Sequence, residues 1–161
     1  MPDVFSKAKR SEVMSRIRSH GNKDTEQRLA AVFRAHGITG WRRQVSLPLP
    51  ASPPDTRATT RARVRPDFVF RREKLAVFVD GCFWHGCPRH FRRPQSRQTF
   101  WDAKIARNQA RDAAVTRSLR QADWRVLRLW EHDLAKKHEK RLAARLRRML
   151  GVATRTTKSP L

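Results

Sequence analysis

The sequence predicts an α/β sandwich built on a mixed central sheet flanked by helices, and three observations carry that expectation. The patterned segments run helix, helix, strand, strand, strand, helix, strand, helix, an order in which helices and strands share one core. The stretch DFVFRREKLAVFVD, Asp67 to Asp80, sets two apolar runs on either side of the polar Arg71-Arg72-Glu73-Lys74, as a β-hairpin does. RVLRLW, which follows a long helical pattern, reads as a further buried strand.

Each element has its own signal. SKAKRSEVMSRIRSHG places Val13, Met14 and Ile17 among basic residues, which predicts a short helix with a narrow apolar stripe and a basic face. DTEQRLAAVFRAHG predicts a second helix: Asp24 caps it with Gln27 three residues on, Leu29, Val32 and Phe33 share a face, and Gly37 ends it. WRRQVSL alternates in the manner of a strand. From Pro48 to Pro66, prolines recur among Thr, Ala and Arg without periodicity, which predicts a mobile insertion at about residues 49–65 in the first half of the sheet. SRQTFWDAKIARNQARDAAVTRSLRQADW predicts a long basic helix with Phe100 or Trp101 near its start and Ile105, Val115 and Leu119 facing inward. DLAKKHEKRLAARLRRMLG predicts a closing amphipathic helix. A chain of 161 residues is expected to form one domain, over residues 1–150, with a disordered tail at 151–161.

Lys and Arg number 37 against 14 Asp and Glu, a formal net charge of +23. Such an excess attracts a polyanion in a salt-dependent way, and nucleic acid is the leading partner. An anionic membrane surface is the alternative, weakened by the absence of a long apolar run, a signal peptide or a lipidation signature; a cytoplasmic protein is expected. An arginine-rich coding bias with solvated helix faces is the plainer account of the charge. It leaves unexplained the five tryptophans and eight phenylalanines beside it in a chain without tyrosine, rings of the kind that stack on bases.

The chemistry concentrates in VFVDGCFWHGCPRHF, Val77 to Phe91. Cys82, Cys87, His90 and, beyond the long helix, His132 offer two sulfurs and two nitrogens, a complete tetrahedral zinc shell. Two unrelated free thiols with surface histidines are the plainer alternative, and the spacing is not that of a ββα finger. A hairpin turn centred on Glu73 and Lys74 sets Asp67 opposite Asp80, both on one face with Cβ atoms about 5 Å apart. Facing like charges call for compensation, ordinarily a divalent cation. His85 beside that cation suits a general base toward water; it is otherwise a packed or surface histidine, or replaces His90 on zinc. Glu26 is a third carboxylate, ordinary for a first helical turn. Lys104, Asn108 and Asp112 recur every four residues on the long helix, lining a cleft or forming a solvated stripe.

PDVFSKAKRSEVMSRIR, RPDFVF, VFVDGCFWHGCP, FWDAKIARNQARD and WRVLRLWE together resemble the very short patch repair (Vsr) mismatch endonuclease family, from about Asp3 to Leu134 and interrupted by the Pro-rich insertion. The resemblance implies a restriction-endonuclease-like core, a structural zinc ion, magnesium-dependent hydrolysis and recognition of a T:G mismatch left by deamination of 5-methylcytosine. It places the family's metal-binding aspartate on Asp67, its catalytic histidine on His85, its N-terminal glutamate on Glu26 and its aromatic wedge on Phe83, Trp84 and Trp101. Rings inserted beside a mismatch unstack a pair that is already weak. The expected DNA contacts are Met14, Phe83, Trp84, Trp101, Lys104 and Asn108. Magnesium is expected on Asp67, the backbone of Val79 and Asp80, and zinc on Cys82, Cys87, His90 and His132.

The chain departs from the family pattern in three places. Asp80 stands where some members have histidine, His132 where a cysteine is frequent, and the insertion directly precedes Asp67. The lysine found two residues after a carboxylate in many nucleases is absent, Cys82 standing there, so histidine takes over its work. The expected substrate is duplex DNA with a T:G mismatch, with a monomeric state and a functional link to a cytosine-5 DNA methyltransferase. A zinc-stabilised nucleic-acid-binding protein without catalysis and a restriction-like nuclease with another DNA substrate are the rival readings.

Overall fold

The helix expected around Leu29 spans Thr25–Ala35 (α1) in the computed structural model, which describes residues 25–50 and 62–151. Leu29, Val32 and Phe33 are buried as expected. Gly37 ends the helix at φ +64°, donating to Arg34 O while Ile38 N reaches Phe33 O at 2.8 Å, the paired bonds of a Schellman stop. The expected first helix with Met14, the Asp24 cap, residues 51–61 and the tail from 152 lie outside the described residues.

Among the described residues six strands follow: β1 (Trp41–Arg43), β2 (Leu47–Pro48), β3 (Arg63–Val64), β4 (Phe68–Phe70), β5 (Leu75–Asp80) and, after helix α2 (Gln98–Gln121), β6 (Arg125–Trp130). The central sheet has the order β1-β4-β5-β6, and β2 pairs with β3 apart from it. β1, β4 and β5 run antiparallel while β6 is parallel to β5, so the sheet is mixed. Three expectations are corrected here. WRRQVSL is not one strand, because Gln44 at φ +54° breaks the ladder between β1 and β2. The insertion is patterned at its base, where Leu47 faces Val64 and Pro48 faces Arg63. The closing helix α3 begins at Glu139 and runs to Leu150, because Glu131–Leu134 and Lys136–His138 wind as separate 3-10 turns, the first held by Asp133 accepting from Trp130 N at 3.1 Å.

The hairpin register also differs from expectation. The turn occupies the whole tetrad Arg71–Lys74, with Lys74 at φ +46°, so Phe70 faces Leu75 and Phe68 faces Val77. Continued outward, that register sets Asp67 opposite Phe78 rather than Asp80. The shift is by two residues, and side chains alternate with period two, so Asp67 and Asp80 keep the same face at a diagonal.

Alternation then sorts the sheet into two cores. Phe68, Phe70, Leu75, Val77, Leu127 and Leu129 pack under α1 and α3 with Phe33, Leu142 and Leu146; the Phe33 ring stands edge-on to Phe68 at 5.0 Å. Val69 and Ala76 face the other way, toward Leu119 and Val115 of α2 and Leu47 of β2. Asp67, Phe78, Asp80 and Arg128 share the parity of this second face. The sheet thus presents its polar end to α2.

Candidate active site and metal centre

The loop after β5 makes the first cluster. Cys82 to His85 form one turn closed by Gly86 at φ +63°: Cys87 N donates to Cys82 O at 2.9 Å and Gly86 N to Phe83 O at 3.4 Å. That closure brings together two thiols five positions apart, and both cysteines are buried. Gly86 is required twice over, since its φ suits glycine and a Cβ there would lie 2.6 Å from Gln109 Nε2 and 2.9 Å from Ile105 Cγ2 of α2.

His132, in the 3-10 turn after β6, and His90 complete the set. Cys82 Sγ lies 3.2 Å from His132 Nδ1, Cys87 Sγ 3.8 Å from both imidazoles, and the two Nδ1 atoms are 3.1 Å apart. Tetrahedral zinc with N and S arms of about 2.0–2.3 Å has ligand–ligand edges of about 3.3–3.8 Å. The four donor atoms fit such an ion, all within 4.8 Å of one another. Burial pushes the Cys82 thiol up to about 12, and its hydrogen bond with Cys87 adds to the shift. A cation held by these four donors would offset the cost of ionising Cys82.

The second cluster lies where β4 begins and β5 and β6 end. Asp67 accepts a hydrogen bond from Val79 N at 2.7 Å. Burial raises its carboxyl to about 6 against that hydrogen bond, with Glu26 and Asp80 adding to the rise. Glu26, at the head of α1, is itself buried and bonded by Arg43 and by Gln44 Nε2 at 3.3 Å. Asp80 is buried with both oxygens on one guanidinium: Arg128 Nε to Oδ2 at 2.7 Å and an Arg128 terminal nitrogen to Oδ1 at 2.6 Å.

Arg128 is the residue that sequence reasoning missed. It faces Phe78 across the β5–β6 ladder and sits over that ring at 4.8 Å, while the same terminal nitrogen lies 3.1 Å from Asp112 Oδ1. Burial works against its charge, but Asp80 and Asp112 prevail and hold its pKa above the ordinary value. Nothing in an arginine-rich sequence marks this one as the one that carboxylates enclose.

Asp112 is drawn from the α2 stripe into the cluster, where its other oxygen bonds His85 Nδ1. A carboxylate only accepts, so Nδ1 carries the proton and Nε2 is the basic nitrogen of His85. His85 Nδ1 also lies 3.7 Å from Asp80 Oδ1. The structure therefore gathers Asp67, Glu26, Asp80, His85 and Asp112 at one end of the sheet, with His85 away from the four-donor Cys/His set.

The aromatic residues expected as a wedge meet in one group. Phe83 stands edge-on to Trp84 at 5.2 Å and to Trp101 at 5.2 Å, and tilted to Phe91 at 5.8 Å. Among the described residues, Phe100, beside Trp101, is the large apolar residue most open to solvent. Asn108 Nδ2 donates to Trp84 O at 2.8 Å and Gln109 Nε2 to His85 O at 3.2 Å, so α2 braces the loop. Lys104 is half-buried on the same helix.

Comparison with known proteins follows this geometry. The family model described as DNA mismatch endonuclease Vsr matches residues 2–91. The type II nicking enzyme V.XorIIP of Xanthomonas oryzae pv. oryzae is 35% identical over 153 residues, 93% of this chain and 98% of its own. The DNA mismatch endonuclease Vsr of Escherichia coli is 35% identical over 134 residues, 81% of this chain and 74% of its own. The type II nicking enzyme V.NaeI of Lentzea aerocolonigenes is 54% identical over 71 residues, 44% of this chain and 43% of its own, so the matched segment spans less than half of that relative. The model match over more than half the chain, and the two relatives aligned through α2 and β6, establish that this chain belongs to the DNA mismatch endonuclease Vsr family.

Proposed function

We propose that this protein is a magnesium-dependent DNA endonuclease that nicks one strand of a duplex at T:G mismatches arising from 5-methylcytosine deamination, and so initiates very short patch repair. The observation that carries this reading is that Asp67 lies within electrostatic reach of Asp80 and Arg128, the two residues that adjoin the His85–Asp112 pair at the same end of the sheet, beside the Phe83–Trp84–Trp101 group. The relatives support it by name: one is a mismatch endonuclease and another a nicking enzyme. The antiparallel hairpin bearing Asp67 and Asp80, followed by a parallel strand, suits a restriction-endonuclease-like core.

Asp67 fits a magnesium ion because its half-buried carboxylate loses enough water to ionise reluctantly without a cation. The backbone of Val79 is the neighbouring donor group, and Glu26 lies close enough to orient a water. Bound there, magnesium would polarise the scissile phosphate and stabilise its developing charge. His85 takes the proton of the attacking water at Nε2, and Asp112 holds the ring and steadies the charge that the ring acquires. The aromatic group supplies rings to set beside a weakened base pair. Cys82, Cys87, His90 and His132 would hold zinc in a structural role, keeping His85 and the rings at fixed distance from β5. The protein is read as a monomer, and a cytosine-5 DNA methyltransferase would create the methylated cytosines from which its substrate arises.

The test is a nicking assay on a duplex with one T:G mismatch in several sequence contexts, against the T:A duplex, with magnesium and with Asp67→Ala. Expected is a magnesium-dependent single-strand nick at the mismatch, lost in the variant. Binding without a nick in every context would leave a zinc-organised DNA-binding protein. Equal cutting of T:A duplex would mean a nuclease with another substrate.

A further inference from the structure

The Asp80–His85–Asp112 group has the donors of a metal site, two carboxylates and an imidazole with their atoms within 4.8 Å of one another. Its centre of charge is already taken. One terminal nitrogen of Arg128 lies 2.6 Å from Asp80 Oδ1 and 3.1 Å from Asp112 Oδ1, and Arg128 Nε lies 2.7 Å from Asp80 Oδ2. The guanidinium is planar and permanently charged, and the ladder that faces Arg128 with Phe78 fixes where it can reach. A dication among the same oxygens would stand against a fixed positive charge.

We propose that Arg128 is a cation supplied by the chain itself, seated where Asp80, Asp112 and His85 would otherwise hold a divalent ion, so that Asp67 is the one aspartate of the cluster left to a metal. This rests on the nuclease reading above and deepens it. Asp80 becomes the anchor of Arg128. Arg128 in turn is a positioning residue, pinning one oxygen of Asp112 so that the other meets His85. The positive charge at this end of the sheet is then present before metal or DNA arrives.

The test counts Mn2+ bound to the zinc-loaded protein without DNA, by electron paramagnetic resonance of the free ion. Wild type is expected to bind one Mn2+ per chain, lost in Asp67→Asn. Arg128→Gln is expected to gain a second, bound at least about tenfold more tightly than any second ion on wild type, lost again when Asp112→Asn is added; Arg128→Lys keeps the wild-type count. Zinc content and circular dichroism report folding. Should Arg128→Gln not fold, Asp112→Asn alone decides: an unchanged count is expected, because that carboxylate holds arginine and not metal. A second ion on wild type that Asp112→Asn removes, or a folded Arg128→Gln that gains none, overturns the proposal. An Asp67→Asn protein that keeps its first ion overturns the placement of magnesium instead, and leaves the count at Arg128 readable on its own.

Discussion

A carboxylate that is hard to ionise makes the clearest case at the scale of single residues. Asp67 has its carboxyl raised to about 6 from the ordinary 3.8, chiefly by burial. An acid whose folded pKa lies above its unfolded one binds protons more readily when folded, so ionising it costs stability. The metal-free protein is therefore expected to lose about 2–3 kcal/mol from this group as pH rises from about 4 to about 6, a loss absent in Asp67→Asn. Thermal melts of both proteins across that range, with metal removed from the Asp67 site and zinc retained, measure the difference; parallel curves would refute the assignment. Magnesium is expected to raise the melting temperature more at pH 7.5 than at pH 5, since only the ionised group attracts it. The spacing of residues pointed to Asp67 and His85 as chemistry. It could not tell that Asp112 would leave its stripe for His85, because a helical stripe looks the same whether water or an imidazole faces it.

The loop from Gly81 to Phe91 shows how an element positions residues that it does not itself make stable. Its first turn closes on Gly86, the loop lies against α2 through Asn108 and Gln109, and its two cysteines meet His132 just after β6. Gly86→Ala puts a methyl group against Ile105 and forces an L side chain to positive φ, at a cost of about 2–4 kcal/mol. Because the same turn carries His85 and Phe83, this variant is expected to lower nicking at saturating DNA by more than tenfold even where it stays folded and zinc-loaded. Zinc content, a melt and a single-turnover rate separate the effects; a full rate with lowered stability would show that the turn serves folding alone. The cysteines and histidines of this loop were legible because few residue types bind zinc. The hairpin before it was legible in its faces but not in its register, since a two-residue turn and the observed four-residue turn give the same alternation.

Across the whole molecule, the charge of +23 is gathered as well as abundant. A cleft of about 560 Å³ beside the Cys/His cluster has Arg89, Arg141, Arg145 and Arg148 on its wall against one carboxylate, Asp133. If duplex DNA reaches this face, replacing Arg141, Arg145 and Arg148 by glutamine lowers the slope of log affinity against log salt by up to about 3, at about 0.9 per phosphate contact. The nicking rate at saturating DNA should stay within about twofold. An unchanged slope, measured by anisotropy of a labelled duplex over a salt series, would place the DNA elsewhere. Among the described residues no helix is long and apolar enough to cross a membrane.

By itself the sequence determined the kinds of element and the residue types able to bind metal: helical and alternating periods follow from local backbone geometry, and a Cys/His set is rare enough to be informative alone. It also determined which face of α1 is buried, because apolar spacing at helical period records burial directly. Only the tertiary structure decided which charged residues meet. A half-buried, doubly paired Arg128 and a solvated arginine are the same letter, and what separates them is whether two carboxylates from different elements are brought within about 3 Å to offset the loss of water. That depends on the register of β5 with β6 and on the seating of α2 against them, which no local pattern specifies.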